Sequence, residues 1–222
     1  MLALGMIAAL AMPGTAQATP QLGDLGVKQS MSVKASNGES LEGKDLRAIQ
    51  LATYTAASVD GNTIVGYDLT TNTALASDIT AAAKAAGATD TNLTVNGKND
   101  PMVWVVKNLT DSRSDPWSGK LRNFCNSLAK QTNFAKQDGT AVSTLSQDKA
   151  TMSTGNVLVP GIYAIVDRTP ATTTLSSGTA IKTTASIMMM NGTAVNGVNQ
   201  LRTAGGTTLT LGQVIYKVSN VE

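Results

Sequence analysis

Histidine is absent from this chain of 222 residues, and cysteine occurs once, as Cys125. Without histidine there is no Ser–His or Cys–His nucleophile pair and no metal site that uses an imidazole. A single cysteine excludes a disulfide within the chain. We therefore predict no catalytic, cofactor-binding or metal-binding residues. Cys125 has apolar neighbours at helical spacing, and we interpret it as a small buried hydrophobic residue.

Aromatic and charged residues are also scarce, at 4% and 14% of the chain, and the net charge is +2. So small a charge gives no reason to expect a nucleic acid or an anionic membrane as a partner. A hydrolase without histidine would need a pair of carboxylates. Asp100, Asp111 and Asp115 cluster along the chain, but they stand at predicted helix starts, where capping explains them. We predict that the protein is not an enzyme.

An uninterrupted apolar run, by contrast, fills residues 1–12. It ends at Pro13-Gly14 and is followed by Ala16-Gln17-Ala18, the small-x-small pattern that precedes signal-peptide cleavage. A membrane helix is the alternative, but it needs about 20 apolar residues, more than this run contains. We predict a signal peptide over residues 1–18, truncated at its start because the usual basic segment is missing. The mature chain from Thr19 is then secreted, with no membrane partner.

Strand signals occupy both ends of the mature chain. Near its start, the alternating residues 31–34 and the segment 46–54 precede Asp60-Gly61-Asn62, a typical hairpin turn, and a return strand over 63–69. Pro160-Gly161 is predicted to form another turn. Towards the end of the chain, the predicted strands cover 157–159, 162–167, 183–190 (ending at Asn191-Gly192), 207–211 and 213–218.

The middle of the chain predicts helices instead. Residues 77–87 combine a Ser77 N-cap, an alanine-rich body and a terminal glycine. Asp100-Pro101 opens a helix over 102–109, although the β-branched residues there also fit a strand. Asp115-Pro116 opens another helix. Its apolar stripe, at steps of three and four, consists of Trp117, Leu121, Phe124, Cys125 and Leu128.

Together these patterns predict a mainly β protein with an α insert. Strands, then helices, then strands are typical of an Ig-like β-sandwich, here with two or three helices in a long crossover. About 200 residues are enough to bury one large core. We therefore predict that residues 19–222 form a single domain.

Four segments carry a resemblance to a known family. The most specific is 160–167, Pro-Gly-Ile-Tyr-Ala-Ile-Val-Asp, and the others are 46–54, 67–70 with the alanine-rich helix after it, and 100–106 with 117–122. They resemble the N-terminal domain of sortase-assembled fimbrial subunits of Gram-positive actinobacteria, in the manner of bifidobacterial shaft subunits. The resemblance implies a pilin-type sandwich at the cell wall that supports adhesion. Its implied partners are other pilin subunits and a sortase.

The resemblance also implies how such subunits are joined. The family uses a lysine near the end of this domain, in a Tyr-Pro-Lys-like motif, to accept the next subunit. Ile215-Tyr216-Lys217 is similar but has no proline, so Lys217 is the candidate acceptor. The family's carboxyl-terminal sorting signal, of the Leu-Pro-x-Thr-Gly kind, does not occur in these residues. We therefore expect the sequence to be a fragment of a longer protein.

A second implication is an internal Lys–Asn isopeptide bond, which later domains of the family often hold. The chemistry needs a desolvated amine, which becomes neutral and nucleophilic, and a protonated carboxyl that polarises the amide. Lys34 on the first predicted strand and Asn220 on the last have the right order in the chain. They are the candidate pair.

A secreted adhesin or carbohydrate-binding β-sandwich module is the alternative function. Its partner would be a host glycan or a matrix protein. Trp104 and Trp117 have side chains that can stack on sugar rings. Both stand in apolar helical contexts, however, which favour packing in the core.

Overall fold

The computed structural model describes residues 19–95, 97–109, 119–170, 172–174, 180–182, 188–203 and 205–216. Within these ranges the chain is mainly β, with four helices between its earlier and later strands. The predicted fold class, a β-sandwich with a helical insert, is confirmed.

The larger sheet contains eight strands within the described ranges. Its central strand β3, Leu46–Asp60, pairs with β10, Gly161–Asp167, on one side and with β4, Thr63–Thr71, on the other. The chain turns from β3 to β4 at Gly61-Asn62, as predicted, and Gly61 has a φ of +57° that glycine adopts without strain. The other strands are β1 (Gln21–Leu22), β7 (Thr140–Val142), β13 (Met188–Gly192), β14 (Gln200–Arg202) and β15 (Thr208–Thr210).

The smaller sheet closes the sandwich. Its four strands are β2 (Ser32–Ala35), β8 (Thr144–Leu145), β9 (Thr151–Ser153) and β16 (Gln213–Tyr216), in the order β16-β2-β9-β8. The last strand, β16, runs parallel to β2 at the edge of this sheet. Two ribbons complete the strands: β5 (Thr94–Val95) with β6 (Lys98–Asn99), and β11 (Thr172–Thr174) with β12 (Ala180–Lys182).

The helices form the predicted insert between β4 and β7. They are α1 (Ala76–Ala85), α2 (Pro101–Asn108), α3 (Lys120–Leu128) and α4 (Thr132–Ala135). Three short 3-10 turns cover Ser36–Gly38, Thr73–Leu75 and Thr91–Leu93.

The burial of β10 shows that the molecule has three layers. Ile162, Ala164 and Val166 pack in the cluster that contains the helices, whereas Tyr163 and Ile165 pack in the cluster that contains the smaller sheet. Successive side chains of a strand point to opposite faces. The larger sheet is therefore the middle layer, and β10 is buried along its whole length because both faces are covered.

Two helix starts differ from the predicted caps. Helix α1 begins at Ala76, directly after a 3-10 turn, so Ser77 lies inside the helix instead of capping it. Residues 101–108 are helical, not a strand, but the Asp100 carboxylate does not cap α2 itself. It accepts hydrogen bonds from the backbone and hydroxyl of Thr71, and that hydroxyl accepts from Met102 N at 3.0 Å. The third predicted helix is observed from Lys120; Pro116 and Trp117 lie outside the described residues.

One predicted turn, Pro160-Gly161, leads directly into a strand, and the Asn191-Gly192 pair, expected to end a strand, belongs to one. Gly161 is the first residue of β10, and a Cβ there would lie 2.1 Å from the carbonyl oxygen of Ala52. Asn191 and Gly192 continue β13, and a Cβ on Gly192 would lie 2.1 Å from the Tyr54 hydroxyl. In both cases glycine is needed for close packing between neighbours and not for a reversal of the chain.

Candidate functional site

A lysine, an aspartate and a tyrosine meet where β10 ends, between the two sheets. The side chains of Lys44 and Asp167 are 3% and 1% exposed, and Lys44 Nζ lies 3.7 Å from Asp167 Oδ2. The hydroxyl of Tyr216, on β16, donates a hydrogen bond to the same oxygen. We call these three residues the lysine cluster. Ionised side chains are rarely buried to this degree unless they are paired.

Backbone contacts hold the lysine cluster together across a long sequence separation. Asp167 pairs with Leu46 at the start of β3, two positions after Lys44. Asp45 lies between Lys44 and Leu46 and makes two further contacts. Its backbone N donates to the Thr169 hydroxyl at 2.9 Å, and its backbone O accepts from Arg168 N at 2.7 Å. The segment before β3 is thereby fixed to the segment after β10, which keeps Lys44 beside Asp167.

The Asp167 carboxylate accepts hydrogen bonds on both oxygens. Its Oδ1 accepts from the backbone N of Thr169 at 2.8 Å and from the Thr169 hydroxyl, and its Oδ2 accepts from Tyr216. Burial, together with the hydrogen bond and negative charge of Asp167, raises the pKa of Tyr216. The tyrosine is therefore a neutral donor to the carboxyl group.

The Lys44 ammonium also faces the tyrosine ring, with Nζ 5.6 Å from the ring centre. A cation at this distance from an aromatic face is attracted by the ring quadrupole. The cluster thus connects β10 of the larger sheet with β16 of the smaller one through a charge pair, a hydrogen bond and a cation–π contact. An amine and a carboxyl in a dry contact are also the two reactive groups that an internal amide bond requires.

The predicted isopeptide lysine lies elsewhere. Lys34 is on β2 between buried Val33 and Ala35, and its own side chain is exposed. Its amine is therefore solvated, whereas the amine of Lys44 is buried. Asn220, its predicted partner, and Lys217, the predicted sortase acceptor, both lie outside the described residues. Both stay predictions.

The other residues singled out from the sequence, where the structure describes them, contribute to packing or to the start of a helix. Cys125 is 3% exposed in the helical layer, which confirms its interpretation as a buried apolar residue. Trp104, on α2, is half-buried and packs against the same layer. Asp100 supports the start of α2 through Thr71. Asp111, Asp115 and Trp117 lie outside the described residues.

Sequence reasoning missed the lysine cluster. Lys44 follows Glu42-Gly43 in a segment with the composition of a surface loop. A signal was nevertheless present at Asp167, because a carboxylate directly follows five residues that read as a fully buried strand. A buried carboxylate needs a partner, but the partner, Lys44, can be identified only from the fold.

Within the described ranges, no three His, Cys, Asp or Glu side chains are grouped so that they could hold a metal ion. Every helix in that part of the chain is too short or too polar to cross a membrane. Comparisons of the chain with family models, with curated proteins and with solved structures found no match.

Proposed function

We propose that this chain is a structural subunit of a cell-surface fimbria, polymerised covalently by a sortase through a lysine, and that it has no catalytic site of its own. The observation that carries the proposal is the lysine cluster. A secreted sandwich without a disulfide needs another means of holding its sheets together. The buried contact of Lys44 with Asp167 and Tyr216 supplies one, and it places an amine beside a carboxyl, as the internal cross-link implied by the fimbrial resemblance requires.

The position of β16 supports Lys217 as the acceptor. This strand is the edge of the smaller sheet, and its last residue, Tyr216, is anchored in the lysine cluster. Lys217 is the next residue along the chain. An acceptor placed there would transmit tension from the neighbouring subunit into the lysine cluster, which joins the two sheets.

Polymerisation is a transfer of an acyl group. The neutral amine of Lys217 attacks the carbonyl carbon of the thioester between the preceding subunit and the sortase; an amide forms and the sortase thiolate leaves. Lysine has a reference pKa of about 10.4 and is mostly protonated at neutral pH. The sortase or a neighbouring carboxylate must therefore remove a proton from the amine before it attacks.

Replacing Lys217 with alanine in the full-length subunit is expected to abolish the high-mass ladder on a denaturing gel, because the acceptor amine is gone. The ladders of the wild-type and variant subunits are compared in cells that carry the cognate sortase. Lys98→Ala is the matched control, since Lys98 is exposed on β6, and its ladder is expected to persist. A ladder unchanged in Lys217→Ala excludes Lys217 as the sole acceptor. A wild-type subunit that forms none, with its sortase present, contradicts the fimbrial proposal and favours the adhesin.

For the internal isopeptide bond, we propose Lys44 as the amine in place of Lys34, with Asp167 as the carboxyl that assists and Asn220 as the acyl partner. The amine attacks the side-chain carbonyl carbon of Asn220 and ammonia leaves, so the mature chain loses about 17 Da. Direct condensation with Asp167 releases water instead and loses about 18 Da.

High-resolution intact mass measurement decides between these outcomes. Lys44→Met is expected to restore the full calculated mass, whereas Lys34→Met is expected to leave the deficit unchanged, because its side chain is exposed. A wild-type mass without any deficit shows that the lysine cluster is an ion pair and forms no bond.

A further inference from the structure

A polar groove lies beside the middle of β3, on the face of the larger sheet that carries Tyr163. Its volume is about 270 Å³. Its polar side chains are Gln50, Asn72, Gln137, Thr140 and Tyr163, and its apolar side includes Val157 and Val159. None of the described residues that line it is charged. The ligand that fits such a lining is neutral, because nothing there compensates a charge.

A bulge in β3 aims Gln50 at the groove. Ile162 pairs with Ala52 and Tyr163 with Gln50, so Leu51 is the extra residue. Bulges re-aim side chains and occur often beside functional sites. The carbonyl groups at this irregularity are satisfied by Asn72, whose side-chain amide donates to Gln50 O at 2.9 Å and whose backbone N donates to Leu51 O at 2.8 Å.

Hydrogen bonds fix the groove before any ligand binds. Tyr163 donates to Val159 O at 2.9 Å, and Gln50 Nε2 donates to the Tyr163 hydroxyl at 3.1 Å. On the opposite side, Gln137 Nε2 donates to Asn133 O at 3.2 Å. Groups held in place in this way lose little freedom on binding, which favours affinity.

The acceptors of the two glutamines are left for a ligand. In the described part of the chain, neither Gln50 Oε1 nor Gln137 Oε1 accepts a hydrogen bond, and each carbonyl oxygen has two lone pairs. The Thr140 hydroxyl can both donate and accept. Val157 and Val159, which are 55% and 36% exposed, add an apolar surface.

We propose that this groove binds one neutral sugar residue of a glycan. A pyranose carries several hydroxyl groups that donate and accept, no charge, and an apolar face of C–H groups, which matches the two carboxamide oxygens, Thr140 and the valines. The volume lies just below the usual range for small-molecule sites, about 300–1,000 Å³, so it holds one ring. This binding activity goes beyond the proposed structural role and does not depend on it.

Titration of the 15N-labelled chain with glucose, galactose, mannose and N-acetylglucosamine tests the proposal by NMR. At least one sugar is expected to shift the side-chain amide signals of Gln50 and Gln137, with a dissociation constant on the order of 1 mM, as expected for so small a ligand. Gln137→Leu and Thr140→Val are each expected to weaken binding about tenfold, because each removes one hydrogen bond to the sugar.

Gln200→Leu is the matched control. Gln200 is also half-buried but pairs with Thr63, at the opposite end of β4 from the groove, and its substitution is expected to leave the titration unchanged. Both test variants change half-exposed side chains, and the remaining amide signals report whether the fold is intact. The proposal is overturned if no sugar shifts the groove signals at about 50 mM, well above the expected constant. It is equally overturned if an uncharged Thr-Ala peptide shifts them and the sugars do not.

Discussion

In a chain whose intact mass shows no isopeptide bond, replacing Asp167 with alanine is expected to lower the free energy of unfolding by about 3–5 kcal/mol, the usual effect of removing one partner of a buried ion pair. The change takes away the carboxylate that Lys44, Tyr216 and Thr169 share. Buried donors then lose their acceptor in surroundings where water cannot replace it. Urea unfolding, followed by circular dichroism, measures the difference.

An exposed ion pair provides the control. Lys84 Nζ lies only 2.5 Å from Asp90 Oδ1, but the two side chains are 44% and 86% exposed. Exposed pairs contribute about 0–1 kcal/mol because water and salt screen them, so Lys84→Met is expected to have a small effect despite the shorter distance. A loss below about 1 kcal/mol in Asp167→Ala would show that the lysine cluster is hydrated in solution.

A double-mutant cycle separates the pair from its surroundings. Lys44→Met with Asp167→Leu replaces both charges by apolar side chains of comparable size, and such replacements are often close to neutral. The double variant is therefore expected to be more stable than the single variant Asp167→Leu. If it instead loses the sum of the two single effects, the groups do not interact.

Local patterns predicted the parts of the fold that local chemistry decides. Gly61-Asn62 follows Asp60 with the composition of a hairpin turn, and the β3–β4 hairpin forms there. The stripe that contains Phe124 and Leu128 indicated an amphipathic helix, and α3 buries both residues. Each signal and its consequence lie within a few residues of one another, so the sequence alone was enough.

Long-range pairing was not predictable in the same way. Asp45 and Thr169 are 124 positions apart, and their hydrogen bond forms only because β10 returns beside β3. The groove has the same origin, since Gln50, Gln137 and Tyr163 come from three distant segments. Two-residue strands such as β1 are too short for any periodic signal. The turn predicted at Pro160-Gly161 was wrong for a related reason. Glycine is needed there because Ala52, on the neighbouring strand β3, lies against it, and the sequence does not show which strands are neighbours.

Replacing Phe124 with alanine is the second change with a large expected effect, a loss of about 3–5 kcal/mol in the free energy of unfolding. The side chain is fully buried at 0% exposure, between α3 and the helical face of the larger sheet. Truncation removes its apolar contacts and leaves a cavity that close-packed neighbours fill only in part. Leu121→Ala, on the same helix but half-buried, is the control and is expected to lose less.

The helical layer and the lysine cluster are then expected to act independently. Phe124 packs on one face of the larger sheet, whereas Tyr216 packs on the other, so the two sites share no side-chain partner. The milder changes Phe124→Leu and Tyr216→Phe should therefore add within about 0.5 kcal/mol when combined, as distant sites usually do. Urea unfolding of both single variants and the double variant measures this. An unchanged midpoint in Phe124→Ala would mean that α3 faces solvent, and a strong departure from additivity would mean that the central sheet does not separate the two cores.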